Sequence, residues 1–87
     1  MRAMGKIASC EISFVPVGTE EYLSKINQVL KIIKGSSLEN TVGYLSTVVR
    51  GEKDRVLALI TDIYQTMDGV CDFTMDIKLS NLCGCKQ

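Results

Sequence analysis

Histidine and tryptophan are missing from these 87 residues, proline occurs once, and ten Lys and Arg balance ten Asp and Glu. Without histidine the chain lacks the side chain that most often serves as general base or metal ligand near neutral pH. No serine elbow and no phosphate-cradling glycine loop takes its place, so no catalysis is expected. Balanced charge argues against a nucleic-acid partner, because phosphate binding draws on clustered Lys and Arg. No apolar run approaches the ~20 residues that span a bilayer, and the start, Met1 to Lys6, has no apolar stretch behind it as an export signal would. The expected setting is the cytoplasm, with neither membrane nor nucleic acid as partner.

What is present is a chain 46% hydrophobic and 23% charged, the composition of an ordinary globular domain. Its length lies near the lower limit for a core that stabilises itself, which favours a partner chain. Four cysteines admit several readings. In a cytoplasmic setting they are expected to be reduced. Cys83-Gly84-Cys85 is too tight for the usual zinc knuckle, and Cys10 and Cys71 stand singly in or beside predicted strands, so no metal is expected. Cys10 and Cys71 then read as small buried apolar residues, and the last two as part of an oxidisable tail.

Residues Ile7 to Val17 alternate, with Ala8, Cys10, Ile12, Phe14 and Pro16 on one side and Ser9, Glu11, Ser13 and Val15 on the other. That period of two predicts a half-buried strand, ended by Pro16, which has no N–H to give. Thr19 suits a helix N-cap, with Glu20 and Glu21 in the first turn where the dipole favours them. Leu23, Ile26, Leu30 and Ile33, flanked by Tyr22 and Val29, predict a helix to about Lys34, capped by Gly35. Leu38 to Arg50 reads as two strands reversing at Val42-Gly43, where glycine permits a positive φ, with Gly51 as the close of the second. Val56, Leu57, Ile60, Ile63, Tyr64 and Met67 form a second helical stripe ending near Asp68-Gly69. In the last strand, Cys71 to Leu79, Phe73, Met75, Ile77 and Leu79 alternate with polar residues.

The order βαββαβ with right-handed crossovers predicts an α+β, ferredoxin-like sandwich: a four-stranded antiparallel sheet with two helices on one face. The expected division is a flexible N-terminus at 1–6, a single domain at 7–80 and a loose tail at 81–87. Antiparallel sheets of this kind leave one face open. Glu11, Ser13, Ser46, Thr47 and Asp76 fall on strands that the topology makes neighbours, and they are the candidate ligand-binding residues. Period alone does not tell whether Ser46 or Thr47 shares a face with Glu11. Hydroxyls beside carboxylates suit a flat heterocycle with amino donors and ring-nitrogen acceptors, and Phe14 or Tyr44 could supply a ring surface. The plain alternative is the solvated half of an alternating strand, with Glu11 and Lys78 as a cross-strand pair. Arg50, at the strand's end, either anchors the corner through a carboxylate or carbonyl or faces a ligand.

Ser13-Phe14-Val15-Pro16, the run Tyr44-Leu45-Ser46-Thr47-Val48-Val49-Arg50-Gly51 leading into Glu52-Lys53-Asp54-Arg55-Val56, and Met75-Asp76 through Ser80 and Cys83 together carry a resemblance. Over roughly residues 9 to 84 the chain resembles the YkoF-type family of thiamine- and hydroxymethylpyrimidine-binding proteins and its single-domain relatives. The resemblance implies non-catalytic binding of thiamine or hydroxymethylpyrimidine, with no cofactor, in supply or salvage of the vitamin. It carries over at Ser13, Ser46, Thr47 and Arg50, while Asp76 takes a polar position and Gly43-Tyr44 replaces more polar residues. It also implies that two chains pair to replace the second repeat of the longer family members, giving a homodimer or homotetramer. Two other functions fit the same residues: a regulatory or oligomerisation module whose open face serves only subunit contact, and a thiol-based sensor built on Cys83 and Cys85.

Overall fold

A computed structural model describes residues 6–82 and shows the order β1 (Ile7–Val17), α1 (Tyr22–Gly35), β2 (Glu39–Val42), β3 (Thr47–Glu52), α2 (Lys53–Asp68) and β4 (Asp72–Ser80). The four strands form one antiparallel sheet in the order β2-β3-β1-β4. This is the ferredoxin-like arrangement, with β1 at its centre. The expected thiol sensor pair Cys83 and Cys85 lies outside the described residues.

Alternation in β1 separates the two faces of the sheet. Ala8, Cys10 and Ile12 are buried under the helices together with Val49 of β3. Glu11 stands opposite Val48 on one side and Lys78 on the other, and Ser13 stands opposite Asp76, all turned to the face the helices leave uncovered. The core is completed by Leu38, by Val29 and Ile33 of α1, and by Val56, Leu59, Ile63 and Met67 of α2. Phe73 of β4 joins its rim, with Phe14 4.8 Å away and Tyr64 edge-on at 5.4 Å between ring centroids. No helix among the described residues is long and apolar enough to cross a membrane.

Several local expectations give way to the observed structure. The α2 stripe is centred on Val56, Leu59, Ile63 and Met67, so Leu59 replaces the expected Leu57 and Tyr64, which are 41% and 53% exposed. At α1 the stripe is centred on Val29 and Ile33, and Leu23 lies largely in solvent. Helix α1 starts at Tyr22 rather than just after Thr19, whose hydroxyl nevertheless accepts the Glu21 N–H at 3.0 Å. Gly35 is the last helical residue rather than the cap; the left-handed conformation falls to Ser37, at φ 64°. Ser36 closes the end by donating its hydroxyl to the Ile33 carbonyl (2.6 Å), while Arg55 of α2 donates to the Ser36 carbonyl (2.6 Å).

The β2–β3 connection differs most. Tyr44 and Leu45 do not begin β3 but sit with Gly43 and Ser46 in a four-residue loop, closed by a hydrogen bond from the Gly43 N–H to the Ser46 carbonyl (2.9 Å). Positive φ is not the reason for Gly43, since Gly18 is the glycine that adopts it among the described residues. Space is: a Cβ at Gly43 would lie 3.1 Å from the Ser46 carbonyl oxygen. At Gly51 a Cβ would meet the end of the Leu38 side chain at 2.5 Å, so a larger residue there would require that side chain to shift. Gly51 also does not close β3, which continues to Glu52. Pro16 likewise does not end β1. From Ser13 onward the strand has a partner only on its β4 side, an edge-like position that tolerates a missing donor.

Candidate functional site

The candidate site forms where β3 begins. Ile12 pairs with Thr47, so the side chain of Thr47 goes with Ile12 to the helix side, where it is 6% exposed and is the buried polar residue of the core. Ser46, one step earlier, is thereby brought to the open side beside Glu11. The side chains confirm the parity: the Ser46 hydroxyl donates to Glu11 Oε2 at 2.8 Å. On the neighbouring position of β1, the Ser13 hydroxyl donates to the Leu45 carbonyl at 3.2 Å, tying the loop down across the strand.

Around these two hydrogen bonds lies a cleft of about 270 Å³, lined by Glu11, Ser13, Ser46 and Asp76 together with Leu45, Ile77 and Lys78. Four of the five candidate residues thus converge, and Thr47 lies on the other side of the sheet. The volume is slightly below the ~300–1,000 Å³ range of small-molecule pockets, suited to one ring rather than an extended ligand. A second hollow of about 440 Å³ opens between α1 and the same loop; Thr47, Phe14 and Tyr22 line it, and it shares Ser13, Leu45 and Ser46 with the first. The two hollows are therefore neighbours across the pinned loop.

Of the expected ring surfaces, Phe14 is turned to the helix side against Phe73, and Tyr44 stands fully in solvent at the loop tip. Arg50 donates to Glu39 Oε1 at 3.1 Å across the β2–β3 pair, on the open side, which gives it the anchoring contact expected of a corner residue. Leu45 is a lining residue that sequence reading missed. It contributes a carbonyl, and a main-chain acceptor leaves no trace in residue identity.

Burial of Cys10 beneath the helices, reinforced by the charge of adjacent Glu11, pushes its thiol up to about 11, the behaviour of a protonated core residue rather than a reactive thiolate. Cys71 is half-buried and free of any disulfide. Among the described residues no group of three or more Cys, Asp or Glu is placed to hold a metal ion.

The sequence model of a family described as thiamine-binding protein matches residues 10–84. None of the curated protein sequences matches the chain. Among solved structures, a Thermotoga maritima protein proposed to act in thiamine biosynthesis or salvage superposes with a TM-score of 0.80 at 16% identity, covering 90% of this chain and 86% of its own. A Bacillus cereus domain of unknown function gives 0.80 at 21% identity, over 97% of this chain and 84% of its own. A Streptococcus pneumoniae protein gives 0.80 at 17% identity, over 85% and 84%. At such identities the superpositions establish the fold, and the family match carries the functional information.

Proposed function

This chain belongs to the thiamine-binding protein family, and from that premise we propose that its open-face cleft binds thiamine or its hydroxymethylpyrimidine portion, without catalysis, in cytoplasmic supply or salvage of the vitamin. One observation supports the location above the rest: Glu11, Ser13, Ser46 and Asp76, drawn from three separate segments, line a single cleft on a sheet rigid enough to hold them. In this reading the two hydroxyls and two carboxylates grip the aminopyrimidine. Thr47 acts from the core side, fixing the start of β3 and with it the position of Ser46. A homodimer or homotetramer would cover the remaining sheet face and edges.

Isothermal titration with thiamine and with hydroxymethylpyrimidine tests the proposal. Saturable heat at sub-millimolar ligand, weakened about two- to tenfold by Ser46→Ala, is the expected outcome, since a lost hydrogen bond between neutral groups costs about 0.5–1.5 kcal/mol. No heat at millimolar concentrations of either compound would sink it. The larger hollow supports a second reading, because Thr47 and Tyr22 both line it. In that case Thr47→Val and Tyr22→Ala would weaken binding and Asp76→Asn would not.

A further inference from the structure

The hydrogen-bond polarity of the open-face cleft is fixed by the protein itself. A serine hydroxyl has one proton to give and two lone pairs to offer. The Ser46 proton is committed to Glu11 Oε2 at 2.8 Å, because a carboxylate oxygen only accepts. The Ser13 proton is committed to the Leu45 carbonyl at 3.2 Å, because a carbonyl only accepts as well. Both hydroxyls therefore turn lone pairs toward a ligand. The carboxylates of Glu11 and Asp76 add further acceptors, and among the side chains lining the cleft only Lys78 has a donor not already spent on the protein.

From this geometry we infer that the cleft selects ligands by their donors: it takes a ring that presents an amino group and rejects the same ring carrying a carbonyl in that place. The inference rests on the thiamine-related reading above and adds to it the group by which the pyrimidine is told apart from its analogues, the 4-amino group. An exocyclic amine brings two N–H groups to acceptors already oriented by the Ser46–Glu11 and Ser13–Leu45 bonds. A carbonyl oxygen in the same position brings no N–H to those acceptors, and among the lining side chains it finds an unspent donor only in Lys78. A site built to receive a hydrogen-bonding group discriminates strongly against an analogue without it. For an open cleft the expected ratio is about 10- to 100-fold.

The test compares thiamine with oxythiamine, its 4-oxo analogue, by titration calorimetry on the full chain, then repeats the pair on Glu11→Gln. A preference for the amino form of at least about tenfold, narrowed in the variant, bears the inference out. The narrowing is expected because a glutamine amide brings a donor into the cleft and lets the Ser46 hydroxyl turn. Equal affinities for the two compounds overturn the inference and leave the thiamine reading standing. A preference that persists unchanged in Glu11→Gln overturns it as well, since the discrimination would then arise elsewhere. Failure of both compounds to bind removes the thiamine reading, and the inference falls with it.

Discussion

Thr47 and Ser46 are adjacent hydroxyls of similar size, and the sheet gives them opposite fates: one is buried on the helix side and the other lines the open-face cleft. Only the pairing partner distinguishes them. Single residues set other limits too, and Cys10 links one of them to pH. Its folded-state value of about 11 lies above the ordinary thiol range. The folded state therefore holds this proton more tightly, and the stability so gained is fully present below about pH 8.5 and is lost as pH rises through 11. The loss should approach about 3 kcal/mol for the group. Urea denaturation between pH 8 and 11 is expected to show it, with a shallower fall in Cys10→Ala, where this proton no longer exists. Parallel pH profiles for the two proteins would refute the role given to the thiol.

The elements are legible from sequence wherever their pattern is strong and local. β1 is expected from Ile7 to an end at Pro16 and is found at Ile7–Val17, because alternation reflects a side-chain direction that each residue sets for itself. Helix α2 is found as expected, but its buried line runs through Leu59 rather than Leu57 and Tyr64. Leu57 and Leu59 are equally apolar, and both fit a helix; which one faces inward depends on how the helix is rotated about its axis against β3 and β1. Leu59→Ala should therefore destabilise the fold by about 2–5 kcal/mol, while Leu57→Ala should cost about 1 kcal/mol or less. Chemical denaturation of both variants ranks them directly, and similar midpoints would mean that the helix is rotated differently. In the β2–β3 connection the reversal at Val42-Gly43 is legible from the sequence, but the length of the loop is not. Tyr44 and Leu45 have strand propensity, but β2 offers partners only as far as Val42, opposite Thr47, so the two residues are left outside the ladder.

At the scale of the whole molecule, one sheet face is packed and the other is not. Val15, Val17 and Val48 stand exposed among the polar residues of the open face, and β2 and β4 are edges of the sheet. A chain of this length gains proportionally little from its own core, so association would add apolar burial that folding alone cannot provide. Sedimentation equilibrium at micromolar protein is expected to give a mass of two or four chains, and the denaturation midpoint is expected to rise with protein concentration. A monomer at all concentrations, with a concentration-independent midpoint, would contradict the assembly proposed here. If the open-face cleft binds ligand within such an assembly, the subunit contact must leave Glu11 and Ser46 accessible.

The sequence by itself determined the kinds of elements, their order and the two faces of β1 and β4, because side-chain direction in a strand or helix is a property of the local backbone. It also determined the supply of hydroxyls and carboxylates. The tertiary structure alone decided which of them meet. A shift of one residue in the pairing of β1 with β3 would send Ser46 to the core and Thr47 to the cleft. That register is set by contacts between residues some 35 positions apart, such as Ser46 with Glu11. No window of neighbouring residues contains such a contact, and the cleft exists only where it is made.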